Sequence, residues 1–162
     1  MNRRQYLAAS LASLSAAPLA WLTQRAYAHH GWNSFDESRP LYIEGRVKAV
    51  KWQNPHAEIV VTVSADAKVP ADLAQRKMPA QTINVDAAKI LAAASAPKRR
   101  GDWTLELSPM VRIEAWKIPE PKVGETVAAI GYTFKNEKGG SFTRVEYLLI
   151  RGQSYGLRSS PV

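Results

Sequence analysis

Apolar and polar residues alternate along the chain from residue 41 onward, which is the period-two pattern of half-buried β-strands. Leu41, Ile43 and Val47 alternate with polar or charged positions, and the phase slips by one residue before Val50 and Trp52. A slip of one residue is typical of a β-bulge. The pattern therefore predicts a long, bent first strand of the kind that small barrels use.

Four further strands are predicted after this first one. Gln53-Asn54-Pro55 ends the first strand, because proline cannot donate to a strand ladder and asparagine favours turns. The apolar positions of strands 2 to 4 are Ala57, Ile59, Val61 and Val63; Trp103, Leu105 and Leu107; and Ala128, Ile130, Tyr132 and Phe134. The fifth strand is predicted over residues 142–150. We expect Leu41, Ile43, Val47, Ile59, Val61, Leu105 and Leu107 to point inward. The order of the predicted strands along the chain indicates an all-β fold. We expect a small five-stranded OB-like barrel, with a β-sandwich as the alternative.

The barrel domain spans residues 41–152 and contains a long insertion between strands 2 and 3. Residues 65–101 are rich in Ala, Pro and Lys and have weak periodicity. Asn84 or Asp86 is suited to cap a short helix over 87–94, so the insertion is predicted to be partly helical. Lys98-Arg99-Arg100 is interpreted as a solvated loop, with an anion site as the alternative. Residues 153–162 are predicted to form a loose C-terminal tail.

Residues 1–28 have the three parts of an export signal. Arg3 and Arg4 precede an apolar run over 7–22, and Ala26-Tyr27-Ala28 matches the A-x-A cleavage pattern. Twin arginines ahead of a moderately apolar run favour a twin-arginine signal peptide, with a general secretory signal as the alternative. The run is too short for a comfortable membrane span. We therefore expect an exported, periplasmic protein without a transmembrane segment in the mature chain.

Cleavage after Ala28 makes His29 the first residue of the mature protein, at the start of an N-terminal arm over 29–40. A terminal histidine offers an α-amine and an imidazole to one metal ion, and an α-amine loses its proton near neutral pH. One more imidazole completes a three-nitrogen set suited to Cu(II). His56 is the other candidate, with His30 as an alternative ligand. The plainer interpretation is a frayed terminus that binds nothing.

Four residues are candidates to support such a copper site. Asp36 and Glu106 are suited to hold a ligating imidazole through its second nitrogen, although Asp36 is equally suited to a turn. Trp52 and Asn54 belong to the turn that presents His56, where Trp52 is expected to pack against the core.

Composition and charge narrow the possible functions. The chain has no cysteine, which excludes disulfides and thiolate metal sites. Three of the 22 basic residues lie in the predicted signal peptide, so the mature chain carries 19 basic and 14 acidic side chains. A net charge of +5 is too small to indicate nucleic-acid binding. We also find no nucleophile beside a base, no phosphate-binding glycine loop and no paired-carboxylate motif, so an enzyme is not favoured.

Three classes of function remain at this point. The first is a periplasmic metal carrier or buffer, with copper as the expected ion. The second is a non-catalytic OB-like interaction module that binds a protein or ligand without metal. The third is a copper-dependent oxidase, which is disfavoured because a single small barrel offers no evident substrate surface. A periplasmic or membrane protein partner is expected in the first case, but the residues do not identify it.

Several short motifs together carry a resemblance to a known family. They are His29-His30-Gly31, Phe35-Asp36, Gly45, Trp52-Gln53-Asn54-Pro55-His56, Trp103-Thr104-Leu105-Glu106 with Ser108-Pro109, and Val123-Gly124-Glu125-Thr126-Val127 with Gly131-Tyr132. The chain resembles a family of small exported bacterial proteins, domain of unknown function 6152. The resemblance implies an exported β-barrel and no established activity.

Overall fold

A computed structural model describes residues 31–162, apart from the side chain of residue 137. The predicted signal peptide and the predicted ligands His29 and His30 lie outside the described residues. The helices of the described part are α1 (Ala87–Ala93), α2 (Met110–Ala115) and three short 3-10 turns over Trp32–Ser34, Leu73–Gln75 and Lys135–Glu137. None of these helices is long and apolar enough to cross a membrane.

The described residues form one mixed sheet that closes on itself. Its strands are β1 (Leu41–Lys51), β2 (Glu58–Val63), β3 (Gly101–Glu106), β4 (Thr126–Tyr132), β5 (Phe142–Ile150) and β6 (Gln153–Gly156). They lie in the order β3-β2-β1-β4-β5-β6, and β3 also pairs with β5. That additional pairing is parallel and closes the first five strands into a barrel, whereas the other neighbours are antiparallel. The predicted all-β, OB-like barrel is confirmed.

The bend in β1 lies where the alternation of the sequence slips. Residues 41–46 pair with β4, and residues 46–51 pair with β2. The register with β2 shifts between Val47 and Ala49, so the predicted bulge is confirmed. Gly45 sits just before the shift, and a Cβ there would lie 2.7 Å from the backbone oxygen of Thr62. A glycine at this position lets the bent strand approach β2 closely.

The barrel interior contains every residue that we expected to point inward. Ile43, Ile59, Val61 and Leu105 are fully buried, and Leu41, Val47 and Leu107 are at most 9 % exposed. All seven belong to one apolar cluster, which also includes Ile113 from α2. Period-two alternation therefore identified the inner face of the barrel correctly.

A second apolar cluster lies on the outer face of the barrel, under the insertion. It contains Tyr42, Ala128, Ile130 and Tyr147 from the strands together with Leu73 and Leu91 from the insertion. Helix α1 brings Leu91 to this cluster, and Asp86 caps α1 by accepting a 3.0 Å hydrogen bond from the backbone N–H of Lys89. The predicted partly helical insertion is thus present. Its burial of the outer face explains why β4 is apolar on both sides.

The C-terminal segment is ordered against the barrel, so the predicted loose tail is wrong. Residues 153–156 pair with β5 as strand β6, and Leu157 is 1 % exposed. The hydroxyl of Ser108 donates to the backbone oxygen of Leu157 at 2.7 Å, and the indole of Trp116 donates to that of Ser159 at 2.8 Å. Hydrogen bonds to the backbone hold this segment in place. The polar sequence of β6 gives no pattern from which these bonds could be predicted.

Candidate functional site

The N-terminal arm is anchored to the barrel by a stack of aromatic rings. Phe35 is 1 % exposed and stacks on Phe134 with ring centroids 4.5 Å apart, and Phe142 extends the same stack. The backbone N–H of Asp36 donates to the oxygen of Thr133 at 2.9 Å. The arm therefore has a buried side chain and a backbone hydrogen bond that fix it beside the end of β4.

Two arginines lie against the aromatic rings of the arm. The guanidinium carbon of Arg158 is 4.0 Å from the centroid of Trp32, and that of Arg144 is 5.6 Å from the same ring. Arg144 also lies 4.6 Å from the centroid of Phe35. Guanidinium groups at such distances are attracted by the negative faces of the rings. Trp32 is thus held between cations from β5 and from the C-terminal segment.

Arg144 forms a buried ion pair with Glu106 across the β3–β5 closure. The register places these two residues opposite each other, and the side chains are 10 % and 5 % exposed. Both Nε and Nη2 of Arg144 donate to Oε1 of Glu106, the former at 2.7 Å. Glu106 was expected to support a metal-ligating imidazole. Within the described residues its carboxylate pairs with Arg144 across the closure of the barrel, and its support of an imidazole stays a prediction.

Arg158 is held by carboxylates from two other parts of the chain. Its Nε donates to Glu146 at 2.7 Å and its Nη2 to Glu37 at 2.8 Å, while the amide of Gln81 donates to Glu146 at 3.3 Å. Burial raises the pKa of Glu146, although Arg158 and Gln81 oppose that shift. Burial works to lower the pKa of Arg158, but its two carboxylate partners outweigh burial and raise it.

The half-buried His56 follows the turn between β1 and β2, at the predicted position. The next residue, Ala57, donates its N–H to the oxygen of Ser108 at 3.1 Å. Glu58 then pairs with Glu106 in the β2–β3 register. His56 therefore lies two residues before Glu58, the β2 residue that faces Glu106. Glu106 is in turn the partner of Arg144. The turn with His56 and the anchored arm are thus linked through the strand pairings of Glu106, which lies opposite both Glu58 and Arg144.

The remaining predicted supporting residues have separate environments. Asp36 forms a local turn, in which its Oδ1 accepts from the N–H of Ser38 at 3.2 Å and from its hydroxyl. Trp52 is half-buried against the main apolar cluster, and Asn54 is exposed. Within residues 31–162, no three side chains of the types that bind metal are grouped as a ready site. A copper site with His29 stays a prediction, because His29 lies outside that range.

Sequence reasoning missed the side chains that anchor the arm, above all Arg144, Glu146 and Arg158. One signal was available for two of them. Arg144 and Glu146 interrupt β5, whose other residues are almost all apolar or small, and both are nearly or fully buried. A charge inside such a strand is seldom buried unless it is paired. The partners come from distant segments, so the pattern indicates a buried charge without identifying its partner.

One family model matches the chain over residues 16–74. It describes DUF6152, a family of unknown function. The DUF6152 match confirms the family resemblance over these residues, which include the arm, β1, β2 and the first part of the insertion. DUF6152 supplies no activity, ligand or site residue. No curated protein matches the chain, and no solved structure matches it.

Proposed function

We propose that the mature chain is an exported copper-binding protein, acting as a carrier or buffer in the periplasm. Its metal ligands are the α-amine and imidazole of His29 together with the imidazole of His56, and His30 is an alternative ligand. Export rests on the sequence of residues 1–28, and copper rests on the three-nitrogen donor set. The observation that supports the proposal is the anchored arm, whose neighbour Arg144 lies opposite Glu106 in the β3–β5 register. Glu106 also faces Glu58, two positions after His56.

The arm limits how far the mature N-terminus can move. Three residue steps separate His29 from Trp32, and an extended chain covers at most about 10 Å over that length. Trp32 is itself held by Arg144 and Arg158. A short tether on a fixed point restricts where the two donors of His29 can lie, which raises their effective concentration for a partner ligand within that reach. Anchoring the arm thus favours closure of a chelate that a frayed terminus would seldom form.

The charges around the anchor suit a cation. Glu106, Glu146 and Glu37 pair with Arg144 and Arg158, so three carboxylates face two guanidinium groups. The positive charge of the arginines is therefore offset before any metal ion arrives. Paired arginines repel a bound cation far less than unpaired ones would.

A titration of the mature, metal-free protein with Cu(II) tests the proposal. The decisive comparison is a version with one extra residue before His29, which converts the α-amine into an amide. We expect this version to bind copper at least tenfold more weakly, and His56→Ala to weaken binding sharply. Gln53→Ala is the matched control, because Gln53 is exposed on the same turn. Binding should also weaken as the pH falls through about 6–7, since protons compete for the same nitrogens.

The same experiment distinguishes the alternatives. Equal copper affinity with and without the extra residue would contradict a terminal chelate, and the metal-free interaction module would then be favoured. Cu(II) should bind more tightly than Zn(II), as expected from the order of divalent ions. Intact mass of the exported protein should show His29 as the first residue. Changing Arg3 and Arg4 to Lys should block export, and unchanged export would favour the general secretory route.

A further inference from the structure

A small pocket lies where the arm, the end of the insertion and the barrel meet. Its volume is about 50 Å³, and its lining includes Arg39 from the arm, Ser95, Lys98 and Arg99 from the insertion, and Trp103 from β3. About 10–15 Å³ of such space is enough for one water molecule, so the pocket has room for a small ion or a few waters. A ligand much larger than this cannot lie wholly inside it.

The lining of this pocket is cationic. Lys98 and Arg99 contribute two positive charges, and no Asp or Glu is among the lining residues. A larger pocket of about 490 Å³ beside α1 is lined by acids as well as bases, and so is an open groove of about 780 Å³ along β1. Of these three concavities, the small one alone has a single sign of charge. Such a lining concentrates anions.

The backbone around the pocket is fixed by hydrogen bonds. Ser95 donates its N–H to the oxygen of Pro40 at 3.1 Å and accepts from the N–H of Tyr42 at 2.9 Å. The indole N–H of Trp103, which is 3 % exposed, donates to the backbone oxygen of Arg99 at 3.2 Å. Lys98 and Arg99 therefore extend from a backbone that is held to the barrel, so little ordering of the chain is needed when an anion binds.

The three cations of the run 98–100 have different roles. Arg100 donates to the backbone oxygens of Ala65, Pro97 and Ala67, so its guanidinium holds the two ends of the insertion together. Lys98 and Arg99 line the pocket instead. The run is thus divided between a structural arginine and two cations that are available to a ligand.

We propose that this pocket binds a small tetrahedral oxyanion, phosphate or sulfate, independently of any metal. A guanidinium presents paired N–H donors that match the oxygens of such an anion, and an ammonium adds a point charge. The size of the pocket favours the free ion over a phosphate that is part of a larger molecule. Because the lining is held by the barrel and the insertion, the site does not depend on His29.

Titration of the metal-free mature protein with inorganic phosphate tests this proposal. The indole N–H resonance of Trp103, assigned by comparison with Trp103→Phe, should shift in a saturable way. The double variant Lys98→Gln/Arg99→Gln should bind phosphate at least tenfold more weakly. It retains the backbone oxygen that accepts from Trp103, and an unchanged melting temperature would show that the fold is intact. Added sodium chloride should weaken binding to the parent protein, because salt screens exposed charges.

The control variant is Lys68→Gln/Lys77→Gln, which removes the same charge from exposed positions of the insertion outside the pocket. It should leave the phosphate affinity within about twofold of the parent. Equal weakening by both double variants would overturn the proposal in favour of diffuse charge attraction. Binding to phosphatidylglycerol vesicles without any response to free phosphate would overturn the assignment to a free ion. The version with an extra residue before His29 should bind phosphate normally, which separates this test from that of the copper site.

Discussion

Replacing Trp32 by alanine should both destabilise the protein and weaken copper binding. Trp32 is half-buried and lies 4.0 Å from the guanidinium of Arg158, 5.6 Å from that of Arg144 and 6.3 Å from the ring of Tyr132. A partly desolvated cation–π contact contributes roughly 1–2 kcal/mol, and the more distant one about 0.5 kcal/mol. An edge-to-face aromatic pair adds about 0.5–1 kcal/mol. The expected loss in the free energy of unfolding is therefore about 2–3.5 kcal/mol.

Urea denaturation of the mature protein, followed by far-ultraviolet circular dichroism, measures this loss. Trp32→Phe should recover about half of it, because a smaller ring still faces the two cations. Met110→Ala is the control for copper binding. Met110 is also half-buried and packs against the main apolar cluster, but it lies in α2 and does not belong to the arm. The control should lower stability without changing copper affinity.

The outcome of the two variants decides whether anchoring of the arm matters. A loss below about 0.5 kcal/mol in Trp32→Ala would fall within the range of ordinary surface substitutions, and it would refute the anchoring argument. If the stability falls as expected while copper affinity is unchanged, the anchor is structural only. The proposed link between Trp32 and the position of His29 would then be wrong.

Two further predictions concern the closure of the barrel, and both are measured by the same denaturation assay. Arg144→Leu should lower the free energy of unfolding by about 3–5 kcal/mol, because it removes the arginine that pairs with the buried Glu106. The double variant Arg144→Leu/Glu106→Leu should recover most of that loss. A double variant that is as unstable as the single one would contradict this explanation. Gly131→Ala should cost at least about 1–3 kcal/mol, since its Cβ would lie 2.2 Å from the backbone oxygen of Arg144. Gly31→Ala, where the Cβ meets nothing within 4 Å, is the neutral control, and equal stability of the two alanine variants would refute the argument.

The barrel could be predicted because its inner face obeys a local rule. Alternation at Leu41, Ile43 and Val47 identified the inward positions, and the slip before Val50 identified the bulge. Local chemistry also offered Asp86, beside Asn84, as the cap of α1, and Asp86 takes that position. These features depend on residues that are close together in sequence. The spacing of apolar residues and the preferences of helix-capping residues therefore predict them.

The outer face and the anchor of the arm could not be predicted in the same way. Tyr42 occupies an outward position of β1, and it is 2 % exposed only because the insertion folds over it. Strand β6 contains polar residues and a glycine, so its pairing has no periodic signal. The ion pair of Arg144 with Glu106 joins residues 38 positions apart. The closed topology of the barrel decides which distant charged residues form a pair. The local sequence pattern around each residue does not.

The contact of Arg158 with the arm has a consequence for the dynamics of the chain ends. Terminal segments usually fray independently of each other. Here Arg158, near the C-terminus, donates to Glu37 of the arm and lies against Trp32, so the arm and the C-terminal segment hold each other in place. They should therefore open together, as one cooperative unit, and their amide hydrogens should exchange with solvent deuterium at similar rates. A perturbation that loosens the arm should therefore also loosen the C-terminal segment, and the reverse should hold.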